Sequence, residues 1–476
     1  MASGSQQNDS TGWRNQPNER GTFDIIKTCV GTILLLCWSS VCPNVPKLHS
    51  GRWSQMGGRL ELFLLSILGP DFTFMVALGQ LNMAHRDKKS FHAKGYQSWT
   101  LRHCYFVNMG GLHLAFPSRV ENTKHPSFPV DCHQLLQLVD GGHMDIPEIT
   151  EAMIEERNKT DELARAITLI QSAWFTVETL ARLAQGLHTT TLELTTLAFV
   201  FLMAGCAICW WRKPMDISLP HVIKVEKDLA VVIDELRLNA PEQPSRHDRT
   251  PLSFLNRHEW FMSQFWFYYT ELLRRLKLMP RRACQPGEAD HFETVQFPEI
   301  DIKFEVFGAG PMVIAYSGIF IAGWNFAFPT ALERTLWQAA SIICLAYGVV
   351  GCFLAWSWHH APVVKTWVAR IRHTIRRTTG SPSNPTGPES TESAGHHGVR
   401  SSLNKINHWF DWMRNISPEG DPALAVPVRL WTPTTFLCVA YCLSRGYILV
   451  EDFVGLRSVP KSAYSTVDWG QFSPIL

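Results

Sequence analysis

The sequence predicts an all-α, polytopic transmembrane helical bundle with extramembrane loops, and three observations carry that expectation. Charged residues make up 18% of the 476 residues, below the ~25% usual for soluble domains. Tryptophan (18) and phenylalanine (27) are abundant. Apolar blocks of about 20 residues, the length that crosses a hydrocarbon core of about 30 Å, alternate with strongly polar ones. The near-zero mean hydropathy averages these two opposite kinds of segment.

Residues 1–22 are rich in Asn, Gln, Ser and Gly, a composition expected to be disordered, and no cleavable signal is evident in them. The block 23–81 is expected to hold two spans. Phe23 to Val41 is the first, ending at Trp38 with Pro43 and Pro46 beyond it, an aromatic boundary followed by helix breakers. Leu60 to Leu81 is the second, interrupted by Gly69, Pro70 and Asp71, which should kink it and leave a carboxylate at mid-depth.

Residues 82–160 are polar and divided by Pro117, Pro126, Pro129 and Pro147, so they read as an extramembrane loop. The segment 161–211 holds an amphipathic helix and then a span. In the helix, Leu163, Ile167, Ile170, Trp174, Val177 and Leu180 share one face, the period of a helix that lies on the surface or enters the bundle with its polar face inward. The span Leu192 to Trp211 ends in Trp210-Trp211-Arg212-Lys213-Pro214, an aromatic and basic cytoplasmic boundary.

A cytoplasmic segment, 212–308, follows; its apolar patch Trp260 to Tyr269 could lie flat on the interface, beside a basic run suited to anionic lipid, Arg274 to Arg282, although an ordinary solvated helix face is the favoured reading of that run. Residues 309–358 form a transmembrane hairpin, and 359–433 a basic, Ser/Pro/Gly-rich cytoplasmic loop with Lys365, Arg370, Arg372, Arg376 and Arg377. The last span is 434–454 and the tail is 455–476. Placing Arg212-Lys213 and the 365–377 cluster inside gives six spans with both termini outside, or seven if the helix at 160–186 crosses. In the six-span reading Asn158-Lys159-Thr160 is lumenal, which makes Asn158 a glycosylation candidate.

The net charge is only +2, so no global field favours nucleic acid. The twelve cysteines form no zinc-type array, and Cys206-Ala-Ile-Cys209 has redox spacing but sits in the middle of a span. No nucleotide, hydrolase or zinc-protease signature is present, and His359-His360 and His396-His397 lack carboxylates at ligand spacing. No cofactor is expected. The expected surroundings are a lipid bilayer, endomembrane or plasma membrane, and an apolar small molecule or biosynthetic enzymes.

Five groups of residues stand out: Cys37 to Pro46; Gly95 to Leu101 with His103 and Met109 to Gly111; Gln171, Trp174-Phe175 and Arg182; Trp210 to Pro214; and Trp324 to Thr330 with Glu333 and Leu336-Trp337. In order, they cover most of 25–465, and they resemble a family of uncharacterised multi-pass membrane proteins of filamentous fungi. The resemblance implies a shared fold and, since some such relatives look like products of secondary-metabolite gene clusters, an accessory or tailoring role. Cys42 and Phe320 depart from the resemblance, standing where relatives carry histidine, and Ser473 to Leu476 lacks a Pro-His ending.

Residue by residue, Asp71, His103, Glu178 and Arg445 are the candidate chemical groups, with Trp99, Trp174, Trp324, Trp337, Arg182, Glu333 and Glu451 near the spans. Aromatic faces around a cation and a buried acid as proton donor would make a membrane cyclase or isomerase of a prenyl or polyketide substrate. A small-molecule transporter is the third class. The bland assignment, tryptophans at interface belts and charges paired between helices, outweighs the catalytic one. Arg445, near mid-depth, is expected to face the bundle and pair with Asp71.

Overall fold

The computed structural model describes residues 10–14, 20–46, 52–117, 127–158, 162–239, 250–255, 260–277, 291–378 and 428–472. In chain order its helices are α1 (Thr22–Ser40), α2 (Arg52–Leu68), α3 (Pro70–Ala93), α4 (Leu101–Phe106), α5 (Cys132–Asp140), α6 (Glu151–Arg157), α7 (Glu162–Ala184), α8 (Thr191–Cys209), α9 (Leu229–Asn239), α10 (Phe261–Arg275), α11 (Ile302–Phe304), α12 (Gly310–Ala322), α13 (Ala331–Thr378) and α14 (Val428–Val454). Five short strands accompany them: β1 (Ser10–Thr11), β2 (Leu112–Ala115), β3 (Phe128–Pro129), β4 (His221–Lys224) and β5 (Val459–Pro460). Two compact units result, the larger from Met1–Trp260, Arg282–Val349 and Phe436–Leu476, the smaller from Phe261–Arg281 and Val350–Thr435.

Four helical stretches are long and apolar enough to cross a membrane: Thr22–Ser40, Thr191–Cys209, Ile302–Asn325 and Ala331–Ser357. In the larger unit α1 and α8 run parallel. At one end Arg20, just before α1, reaches Glu193 in the first turn of α8 at 2.5 Å; at the other, Lys213, just after α8, donates to the Cys42 carbonyl just after α1 at 2.7 Å. These are the Arg20 end and the Lys213 end.

Helix α7 runs the opposite way between the same two ends. Arg165 in its first turns lies 3.5 Å from Met215 Sδ and from the Ala207 carbonyl, and Arg182 in its last turn faces Glu193 at 3.8 Å. Its 23 residues are about 34 Å long at 1.5 Å each. Its polarity is inverted relative to a water-soluble helix. Leu163, Ile167, Ile170, Trp174, Val177 and Leu180 point outward, while Thr168, Ser172, Thr179 and Arg182 are buried. The buried hydroxyls are satisfied within the helix, Ser172 on the Thr168 carbonyl and Thr179 on that of Phe175, both at 2.8 Å.

The single kinked helix expected over 60–81 is two helices that reverse at Gly69. The Ser66 and Thr73 hydroxyls are 3.2 Å apart, whereas seven residues of straight helix separate two groups by roughly 10 Å. Both arms return to the Lys213 end. Arg59 of α2 binds Asp216 at 2.7 Å and the Trp38 carbonyl at 3.2 Å, and Gln80 of α3 accepts from Trp210 Nε1 and Lys213 Nζ, each at 2.9 Å. Helix α12 runs against α8: a Cβ on Gly205 would meet the Met312 methyl at 2.7 Å, and one on Gly323 would meet Leu194 at 3.0 Å. Glycine at 205 leaves room on α8 for the Met312 methyl and the Phe74 ring.

Beyond these helices the expected all-α character is broken at two places. A three-stranded sheet, ordered β3-β2-β4, pairs β2 antiparallel to β3 and parallel to β4, within segments expected to be loop. β1 pairs antiparallel with β5, Ser10 opposite Pro460, so part of the expected disordered N-terminus is ordered. Helix α13 also runs past the expected exit at Trp358. Residues 379–427 and the Ser473 to Leu476 ending, with His396-His397, lie outside the described residues.

In the smaller unit α10 presents Phe265 and Tyr268 inward with Tyr269 and Leu272 against them, and the Tyr269 hydroxyl lies 2.8 Å from that of Thr435.

Candidate functional site

The larger unit carries three buried polar centres. At the Lys213 end the ammonium, 4% exposed as a residue, donates to the Cys42 carbonyl, Asn44 Oδ1 and Gln80 Oε1 and lies 5.5 Å from the Trp210 ring. All three acceptors are neutral, so burial pushes its pKa down to about 8. Lys213 thus clamps the ends of α1 and α8 to α3; Arg212 beside it is exposed.

In the middle of the bundle, Arg445 is 2% exposed, and its guanidinium sits 4.8 Å from the Phe320 ring, 5.6 Å from Tyr316 and 5.8 Å from Phe199. Its three nitrogens have no hydrogen-bond partner among the described residues. The expected direct pair with Asp71 is not formed. Asp71 stands within electrostatic reach, but its Oδ1 takes the Tyr441 hydroxyl at 2.7 Å. Tyr441 stacks on Tyr347 at 4.2 Å, with Phe72 edge-on to it. The physical reason is competition: one turn before Arg445, Tyr441 reaches the carboxylate first, and aromatic faces hold the cation instead.

At the Arg20 end, Glu193 is fully buried and closes a capping box, its Oε2 on the Thr190 amide at 2.9 Å and the Thr190 hydroxyl on its own amide at 3.2 Å. Its other oxygen takes Arg20. Arg182 donates to the carbonyls of His188, Ala463 and Ser465 at 3.1, 2.6 and 2.6 Å, which fastens the segment after α14 to α7. Beside this network is a chamber of about 200 Å³. Its wall is mostly apolar, from Leu183 and Leu187 at the end of α7, Phe326 to Phe328 before α13, and Leu456, Val459 and Pro460 after α14, with His188 to Thr191 and Asn325 supplying polar atoms.

Two acids lie behind that wall. Glu451 and Asp452 are 2% and 0% exposed, and Glu451 Oε1 and both Asp452 oxygens have no hydrogen-bond partner among the described residues. Tyr447 donates to Glu451 Oε2 at 3.2 Å; the Thr195 and Thr191 hydroxyls neighbour Asp452, though Thr195 too has no partner in hydrogen-bond geometry. Glu333 is bound by Arg457.

The other sequence-derived candidates make the following contacts. His103 Nδ1 is 2.9 Å from the Thr100 hydroxyl and Nε2 is 2.8 Å from the Ile149 carbonyl, so both ring nitrogens are occupied. Glu178 is half-buried near Arg20 and Arg182. Trp99 stacks flat on Phe91 at 4.2 Å, Trp337 donates to the Phe320 carbonyl at 3.2 Å, Trp174 stacks on Trp469 at 5.5 Å, and Trp324 is 36% exposed. The Asn158 amide is engaged on both sides, accepting from the Met215 amide at 3.0 Å and donating to Glu155 at 3.1 Å, at the Lys213 end. Cys206 and Cys209 are buried free thiols in α8. No group of three or more metal-ligating side chains occurs among the described residues.

Among comparisons with known proteins, the model of a family described as "Family of unknown function (DUF8562)" matches residues 1–238, half of the chain. No curated protein matches, and no solved structure does.

Proposed function

The chain belongs to this family of unknown function (DUF8562), and we propose from its own geometry that it is a multi-pass membrane protein with an accessory role, holding a small, largely apolar molecule in the chamber at the Arg20 end. In this reading α1, α7, α8, α12, α13 and α14 cross the bilayer. Helices α2 and α3 enter from one side and turn back at Gly69, about 16 Å deep counting from Gly58 at 1.5 Å per residue. The outward apolar stripe of α7 supports the assignment, because such a face is stable against lipid and costly in water.

Charge supports the orientation. With α2–α3 as a re-entrant hairpin, Arg86, Lys88, Lys89 and Lys94 fall on the same side as Arg212 and the 365–377 cluster, which fits a positive-inside distribution with six spans. The Lys213 end is then cytoplasmic and the chamber faces the lumen or the exterior.

The observation that carries the functional reading is the chamber itself, concave and apolar with a few convergent polar groups. Its volume is the liquid share of about six waters, at roughly 30 Å³ each. That suits one small molecule, and an accessory role in secondary-metabolite biosynthesis, as the fungal resemblance implies, is served by holding one. The cyclase reading is weaker, since the aromatic faces that would steady a carbocation hold Arg445 and the Asp71 acid holds Tyr441. Saturation-transfer NMR on the full chain in nanodiscs, with 2-phenylethanol as probe, tests the chamber: Ala327→Trp should abolish the signal, and an unchanged signal would refute the site.

One observation favours transport as a second reading. The helix break at Gly69 precedes Asp71, which stands within electrostatic reach of the buried Arg445, and carriers build mid-membrane sites from interrupted helices. Uptake of labelled metabolites into proteoliposomes, dependent on Arg445, would support it; equal uptake by empty vesicles would not.

A further inference from the structure

We infer that the chamber takes an organic cation, a small apolar molecule carrying one protonated amine, with Glu451 as its counter-ion. The inference rests on the chamber reading above and adds the charge of the ligand. Gly455 is the wall residue without a side chain, and the position a Cβ would occupy there is 3.4 Å from Glu451 Oε1 and 3.7 Å from the Thr191 hydroxyl. Both Gly455 and Thr191 line the chamber. The carboxylate oxygen without a hydrogen-bond partner therefore lies against Gly455, a residue of the chamber wall.

Two acids at this end lack a close ion-pair partner. Glu193 is matched by Arg20 and Arg182, and Glu333 by Arg457. Arg445 lies against aromatic rings and acts on Asp452 only at a distance, without a salt bridge. Glu451 and Asp452 are left without an ion pair among the described residues, and a buried carboxylate is costly until a cation or donor meets it. The Thr189 hydroxyl, also without a partner, and Asn325 on the wall offer acceptors for the remaining ammonium protons. The apolar residues Leu183, Leu187, Phe326 and Leu456 would enclose the rest of the molecule, which argues for an organic amine over a bare metal ion, since a metal ion needs oxygen ligands on all sides.

The test compares three probes of equal size on the full-length chain in nanodiscs at neutral pH: 2-phenylethylamine, 2-phenylethanol and phenylacetate. The amine should bind about tenfold tighter than the alcohol, with phenylacetate weakest. Glu451→Gln should erase that preference, and so should Gly455→Ala, whose added methyl would stand against Glu451 Oε1; the second variant serves if the first fails to fold. An alcohol that binds as well as the amine, or a preference that survives both substitutions, would overturn the cation assignment while leaving the chamber standing. If none of the three probes gives a signal sensitive to Ala327→Trp, the chamber reading falls and this inference with it.

Discussion

The Ser66 and Thr73 hydroxyls, seven positions apart, sit 3.2 Å from one another. That distance requires the chain to reverse between them, and Gly69, at φ −152° and ψ 81°, is where it does. A re-entrant hairpin puts both of its outer arms on one side of the membrane. Single cysteines at Met56 and Ser90, both exposed, should therefore react with a membrane-impermeant maleimide from the same face. Labelling from opposite faces would mean that the pair crosses.

Arg182 ties α7 to the segment after α14 through three carbonyls and faces Glu193. Replacing it by alanine leaves those carbonyls and a buried acid short of a partner. The expected cost is about 3 kcal/mol or more, the range for breaking a buried charged network. Thermal unfolding in detergent would show it, together with faster proteolysis of residues 461–472. Unchanged proteolysis would count against the role of this arginine as a fastener.

Lys213 makes stability depend on pH in a defined direction. Its folded pKa, about 8, is below the ordinary 10.5, so below pH 8 both folded and unfolded states are protonated and the burial penalty is present in full. As pH rises from about 8 toward 10.5, the folded state gives up its proton first and the penalty fades. Wild type should thus gain on Lys213→Met between pH 7 and pH 10, by on the order of 3 kcal/mol at most. Melting curves of the two proteins that stay parallel over that range would refute the buried charge.

Asn158 should carry no glycan. Its amide nitrogen donates to Glu155 and its oxygen caps the Met215 amide, and in the proposed arrangement, with α7 crossing and α2–α3 re-entrant, it lies on the cytoplasmic side with Lys213. Protein expressed in a eukaryotic host should show no mobility change on endoglycosidase treatment; a shift lost in Asn158→Gln would invert the orientation.

Much of the bundle was legible because length and hydropathy are local properties. Four apolar helical stretches coincide with expected spans at 23–41, 192–211, 310–328 and 335–358. The capping box at Thr190 and Glu193 could be read from its S/T-x-x-E spacing. What was not legible depends on tertiary contacts. A Gly-Pro break reads as a kink or a reversal with equal ease, and only Ser66 against Thr73 distinguishes them. The α7 stripe was visible, but whether it faced core, water or lipid was not. Lys213 looked like a surface charge because its acceptors come from residues 42, 44 and 80. Cys42 and Phe320, two departures from the family resemblance, stand beside Lys213 and Arg445, which are buried cations without an ion pair among the described residues.

The prediction that separates a structural from an ion-paired Arg445 concerns its replacement by an apolar residue. Removing one partner of a buried ion pair costs about 3–5 kcal/mol, because the other charge is stranded. Here no such partner exists within bonding distance among the described residues: Asp71 is held by Tyr441, and the guanidinium makes ring contacts alone. Methionine, unbranched and of similar reach, would keep contact with Phe320, Tyr316 and Phe199 and remove a desolvated charge. Arg445→Met should therefore unfold within a few degrees of wild type, or above it, as the exchange of buried charge for a well-packed hydrophobe is often neutral or stabilising by about 1–4 kcal/mol. Tyr441→Phe should behave in the opposite way. It strands the Asp71 carboxylate without its hydroxyl donor, at a cost of about 1–3 kcal/mol. Thermal denaturation of the two variants in the same nanodiscs decides the matter. If Arg445→Met is the more damaged of the two, the arginine is held by a charge after all, and the aromatic account of its site is wrong.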